Sequence, residues 1–147
     1  LIAVKLYEKL KTVTPDARKA LSHAASFDHK DWNSCLRALL GRSAENLIAL
    51  EKKEGKYDRE AHRQRLAIIT EKWNEILKII NEELPSSGNL EALMLELELP
   101  TDIAKIGVDP HLLPAIFRAT KDIRDKYVLS RLLFDLGIID EFAEGLI

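Results

Sequence analysis

The chain of 147 residues has the length of one domain, and its 46% hydrophobic and 31% charged content suits a soluble protein able to bury a core. The formal charge of −2 is mixed along the chain, which leaves no basic stripe for nucleic acid and no polybasic surface for anionic lipid. No apolar run approaches the ~20 residues needed to cross a bilayer.

Leu1, Ile2, Val4, Leu6, Tyr7 and Leu10 follow a helical pattern with no capping residue ahead of them. This helix is therefore expected to continue from upstream residues, and the chain to be a cut piece. Thr14 and Pro15 supply an N-cap and a first-turn proline for a helix over 15–25. Asp28 caps the next, where Trp32, Leu36, Leu39 and Leu40 keep helical spacing until Gly41. Ser43 starts a fourth, through Leu47, Ile48 and Leu50 to Gly55.

The longest periodic segment opens at Asp58. Leu66, Ile69, Trp73, Ile76, Leu77, Ile80 and Leu84 hold one stripe until Pro85, which predicts a continuous central core helix over 58–84 with a charged, solvated outer face. After the polar loop 86–89, Asn89 is placed to cap a helix over 90–97. Pro100 and Gly107 bracket a short connection. Asp109 and Pro110 then open a helix over 111–120, and another is expected from Asp125 to Gly137, with a stripe of Leu129, Leu132, Leu133 and Leu136. Asp140 caps a last short helix containing Phe142 and Leu146. No strand alternation and no fixed repeat is visible, so the expected fold is an all-α multi-helix bundle of about eight to ten helices in a single domain, 1–147.

Cys35 is the sole cysteine, which excludes an internal disulfide and fits a reducing compartment; on its helical pattern it reads as a buried, inert thiol. His23, His29, His62 and His111 lack the spacing that sets two imidazoles on one helix face, so they read as surface or capping residues. The glycines are isolated at helix ends, which excludes a dinucleotide cradle of the Rossmann kind. Glu82, Glu83, Glu96 and Glu98 read as solvated charge and not as an acid and base pair. One basic concentration is left: Lys121, Arg124 and Lys126, with Arg118 nearby and Tyr127 following. Cations beside a tyrosine hydroxyl suit a phosphate dianion, while Asp122 and Asp125 offer the alternative of a salt-bridged corner.

The loop with Pro100-Thr101 and Ile106-Gly107-Val108, the capped helix, and Lys121-Asp122-Ile123-Arg124-Asp125-Lys126-Tyr127 leading into Leu132-Leu133-Phe134-Asp135-Leu136-Gly137 form one ordered series. It resembles the C-terminal end of glycerol-1-phosphate dehydrogenases, members of the iron-containing alcohol dehydrogenase superfamily with glycerol dehydrogenase and dehydroquinate synthase. Leu6-Tyr7-Glu8-Lys9-Leu10, the segment 50–58 and the segment 73–85 fall in the order of that family's helical domain.

The resemblance implies that this is the C-terminal domain of a two-domain cytoplasmic dehydrogenase, lacking an N-terminal nucleotide-binding domain. It implies NAD(P) and a divalent metal (zinc, nickel or iron) for the parent enzyme, with neither cofactor nor metal ligand nor catalytic residue in this fragment. Hydride would pass between the nicotinamide and glycerol 1-phosphate or dihydroxyacetone phosphate, and Lys121, Arg124 and Lys126 would hold the substrate phosphate. The expected partners are the missing domain and a small polyol phosphate, with a homo-oligomer left open and neither nucleic acid nor membrane involved. The isolated fragment is expected to be inactive. The rival expectation is a free-standing helical module that offers a groove to a partner helix.

Overall fold

The computed structural model describes residues 1–123 and 125–146. They form ten α-helices and three short 3-10 turns, and there is no strand among the described residues. The all-α expectation holds. The helices are α1 (Ile2–Leu10), α2 (Ala17–Ser26), α3 (His29–Leu40), α4 (Ala44–Glu54), α5 (Arg59–Glu71), α6 (Trp73–Glu83), α7 (Ser87–Glu96), α8 (Leu113–Ile123), α9 (Leu129–Asp135) and α10 (Ile139–Glu144).

Several boundaries differ from the sequence pattern for local reasons. Asp16, not Thr14, caps α2 by accepting from the Lys19 amide at 3.0 Å, so this helix starts beyond Pro15. Ser86, not Asn89, caps α7, and it accepts from the Asn89 amide. Asp109 caps a 3-10 turn, Pro110–Leu112, that runs directly into α8. Asp140 lies inside α10, where it binds Arg118 instead of a backbone amide.

The long helix expected over 58–84 is two helices that meet at Lys72, whose φ of −94° and ψ of 11° break the α pattern. Just before the break, the Thr70 hydroxyl donates to the Leu66 carbonyl at 2.8 Å, a side-chain bond that bends helices. The bend keeps Leu66, Ile69, Trp73 and Ile80 in the core, and the Trp73 indole N–H reaches the Val13 carbonyl at 3.2 Å.

The central helix is instead α9. All seven of its residues are buried, which requires neighbours on every side. It packs with α8, α10, α2 and α5, and the main core draws on Leu6 and Leu10 from α1, Leu66 and Ile69 from α5, Leu129, Leu132, Leu133 and Phe134 from α9, and Phe142 from α10. A smaller cluster of Leu36, Ala44 and Ala119 joins α3 and α4 to α8.

Gly137 ends the α9 segment at φ 69°, and here space is as restrictive as conformation. A Cβ at this position would lie 2.9 Å from the Ala20 Cα and 3.1 Å from the His23 Cβ. Gly137→Ala is therefore expected to lose about 2 kcal/mol or more, from the left-handed backbone and from α2 being pushed off α9. Gly88→Ala, where nothing lies within 4 Å, is the control and should be neutral or stabilising by up to ~1 kcal/mol. Urea unfolding of the two variants measures both.

Candidate functional site

A charged residue in an apolar run must find partners inside the protein, because an isolated buried charge is very costly. Arg131 and Asp135 are such residues on α9, and Lys121 and Asp122 are their counterparts at the end of α8; all four are under 5% exposed. Asp122 is the hub. One carboxylate oxygen accepts from Arg131 Nη2 at 2.9 Å, while the other accepts from Trp32 Nε1 at 2.8 Å and the Tyr57 hydroxyl at 2.7 Å, with the Lys121 ammonium 3.2 Å away. Burial, then the adjoining Asp122 charge, pushes the Tyr57 hydroxyl well above its ordinary range and keeps it a donor.

The Lys121 ammonium sits among aromatic rings. It lies 3.3 Å from the centre of the Trp32 ring and between 5.6 and 5.8 Å from those of Phe27, Tyr57 and Phe134. Phe27 and Tyr57 stack at 4.7 Å, and Phe134 closes against both edge-on. Burial pushes Lys121 down to about 7, against the pull of Asp122 in the other direction. Charge balance agrees with this direction, since Arg131 already neutralises Asp122 and Lys121 is the surplus cation.

Asp135 anchors a second group. Its carboxylate accepts from Arg65 Nε at 2.9 Å, from Arg65 Nη2 at 3.2 Å and from the Tyr127 hydroxyl at 2.9 Å, and its carbonyl meets His62 Nε2 at 2.9 Å. The bond to Asp135 raises the Arg65 pKa further.

These two groups floor a pocket of about 330 Å³, lined by Lys56, Arg65, Lys121, Lys126, Tyr127 and Arg131, with Glu54 and Asp125 among its acidic members. Lys121 and Lys126 thus line one cavity. The Lys121 ammonium, however, is turned to Asp122 and Trp32, and the exposed Lys126 lies 3.9 Å from Asp125. Arg124 lies outside the described residues. Arg118 points elsewhere, to Asp140 at 2.7 Å and Glu144 at 2.6 Å.

Lys56, Arg65 and Arg131 were not legible as site residues. Arg131 alone left a signal, a cation interrupting Leu129-Ser130-Arg131-Leu132-Leu133. Cys35, expected to be buried, is exposed because Leu36 takes the inward position on α3. His62, expected at the surface, is 3% exposed on the Asp135 carbonyl, and His23 is partly buried beside Phe134, where burial lowers its pKa. Glu82, Glu83, Glu96 and Glu98 are exposed. Among the described residues no three His, Cys, Asp or Glu side chains converge to hold a metal ion.

Replacing Asp122 by Asn should destabilise the chain by ~3–5 kcal/mol, because Arg131 loses its buried counter-ion. The reading for Lys121 has its own test. Below about pH 7 both folded and unfolded states carry its proton. Between there and its unfolded value of ~10.4 the unfolded state binds more, so its contribution to stability grows with pH. The unfolding free energy of wild type minus that of Lys121→Met should accordingly rise from pH 7 to 10 with a slope approaching ~1.4 kcal/mol per pH unit. A flat difference would show that Lys121 does not titrate in this window. No family model, curated protein or solved structure matches this chain.

Proposed function

We propose that this chain is the C-terminal helical domain of a cytoplasmic, metal- and NAD(P)-dependent polyol phosphate dehydrogenase that moves hydride between nicotinamide and glycerol 1-phosphate. The observation that carries the reading is the pocket at the corner before α9, lined by Lys56, Arg65, Lys121, Lys126 and Arg131. That corner is also where the likeness to glycerol-1-phosphate dehydrogenases is densest. A cavity of about 330 Å³ has room for a three-carbon phosphate ester.

Metal and nucleotide belong, in this reading, to the upstream domain and the helix that joins it. The residues of this chain would form one wall of the cleft, orient the phosphate and exclude water from the ester. Proximity is the contribution asked of them, since a phosphate fixed at one end limits where the carbinol carbon can lie.

A helical interaction module without catalysis is the second reading, and a specific observation favours it. No residue of α7 is buried, and Leu93, Leu95, Leu97, Leu99 and Ile106 are about half exposed or more. The two readings part at one experiment. A chain extended upstream through the nucleotide-binding domain and loaded with zinc, nickel or iron is expected to reduce NAD(P) when given glycerol 1-phosphate. If the folded, metal-loaded long form turns over none of a panel of polyol phosphates, the dehydrogenase reading fails and the interaction module stands.

A further inference from the structure

We infer that the outer surface of α7, with the segment 97–106 that follows it, is a docking site for a basic amphipathic helix of another protein. It goes beyond the dehydrogenase reading, which does not use this surface, and supplies the partner chemistry that the interaction-module reading leaves open.

No residue from Asn81 to Leu113 is buried. Yet α7 is apolar on more than one face: Leu90, Leu93 and Met94 hold one stripe, Leu97 continues it past the helix end, and Leu95 lies away from it. A helix of that composition belongs inside a structure. Its principal neighbour within the chain is α1, which leaves the outward side bare. Met94 lines a cleft of about 260 Å³ with Ile2, Pro100, Ile103 and Ile106, so the segment after α7 returns beside it and extends the same apolar surface.

The charge here has one sign. Between Lys78 and Lys105 lie Glu82, Glu83, Glu91, Glu96, Glu98 and Asp102, with no Lys, Arg or His. Glu91 pairs with Lys5 at 3.3 Å and Glu82 with Lys78 at 3.8 Å, while Asp102 caps its own 3-10 turn. Among the described residues Glu96 and Glu98 pair with no cation. Glu96 shares a face of α7 with Leu93, three residues before it. Two copies meeting through this surface would set their carboxylates against each other, which disfavours a second copy as occupant. A helix with an apolar stripe flanked by Lys and Arg complements both the leucines and the carboxylates.

Glu98 points the same way on separate grounds. The end of α7 is closed by the Leu99 N–H on the Met94 carbonyl at 2.8 Å and the Glu98 N–H on the Leu95 carbonyl at 3.1 Å, a motif whose left-handed residue is ordinarily glycine. Here that residue is Glu98 at φ 54°, the one non-glycine residue at positive φ among the described residues. Its side chain makes no hydrogen bond or ion pair among them to offset the strain. A carboxylate kept at a position that disfavours it, and unused within the chain, is accounted for by a cation outside it.

The test titrates the 147-residue chain with a synthetic Leu/Lys amphipathic peptide of about five helical turns, and with the same peptide carrying Glu for Lys, followed by amide chemical shifts and fluorescence anisotropy. The basic peptide is expected to bind saturably, with shifts centred on 90–106, and the acidic one not at all. Leu93→Gln together with Leu97→Gln, both at exposed positions, should weaken it about tenfold or more without lowering the unfolding midpoint. Glu98→Gly should raise the unfolding midpoint and still weaken the peptide about threefold, a combination that damage to the fold cannot produce. Absence of saturable binding below about 200 µM, affinity unchanged in both variants, or equal binding of the acidic peptide overturns the docking site. So does dimerisation of the chain that the leucine pair abolishes, which makes a second copy the occupant. Loss of peptide binding in the chain extended upstream also overturns it, because the surface is then covered within the same protein. Dehydrogenase turnover by that long form is read separately, and neither its presence nor its absence alters these outcomes.

Discussion

The Asp122 carboxylate is the constraint on which this bundle depends. It sits fully buried at the end of α8 and collects Trp32 from α3, Tyr57 from the α4–α5 turn and Arg131 from α9, with the Lys121 ammonium alongside. Removing such a group from water costs several kcal/mol, and only a nearly complete set of donors offsets that cost. Each donor comes from a different part of the chain. A shift of any one helix by a single turn would leave a charge or an indole N–H unpartnered in the interior. The network therefore selects one arrangement of α3, α8 and α9 among those that apolar packing alone would tolerate.

Asp135 does the same for α5. Arg131 and Asp135 are four residues apart on α9, so they share a face of that helix, and each is matched by an opposite charge from another element. The apolar faces of α9 carry Leu132, Leu133 and Phe134 into the main core. A seven-residue helix is too short to persist alone in water, and its burial on all sides supplies the stability that its length does not.

The helical class was legible because capping residues and glycines punctuate the chain clearly. Asp28, Asp58 and Asp109 cap as their positions suggest, and Gly41, Gly55, Gly107 and Gly137 all take positive φ. The identity of the central helix was not. Periodicity favoured the segment 58–84 because its stripe is long, and it was blind to the break at Lys72, beside which Thr70 makes a back-bond to the Leu66 carbonyl that any helical threonine can make or omit. It read α9 as a one-sided stripe of Leu129, Leu132, Leu133 and Leu136, since periodicity has no sign for Ser130, Arg131 and Asp135 being buried as well. Within the site, Lys121 and Lys126 were found because they are close in sequence. Arg65 left no local pattern and Arg131 only the interruption of an apolar run, and the two are brought together by tertiary packing.

The same network that fixes the fold also sets the electrostatic character of the pocket above it. Asp122 and Asp135 hold Arg131 and Arg65 from behind, so the guanidinium planes are fixed by the fold itself. Those carboxylates also cancel most of the positive field. A cavity with fixed donors and small net charge discriminates by shape and hydrogen-bond geometry, and a long-range field of steering charge is weak in it.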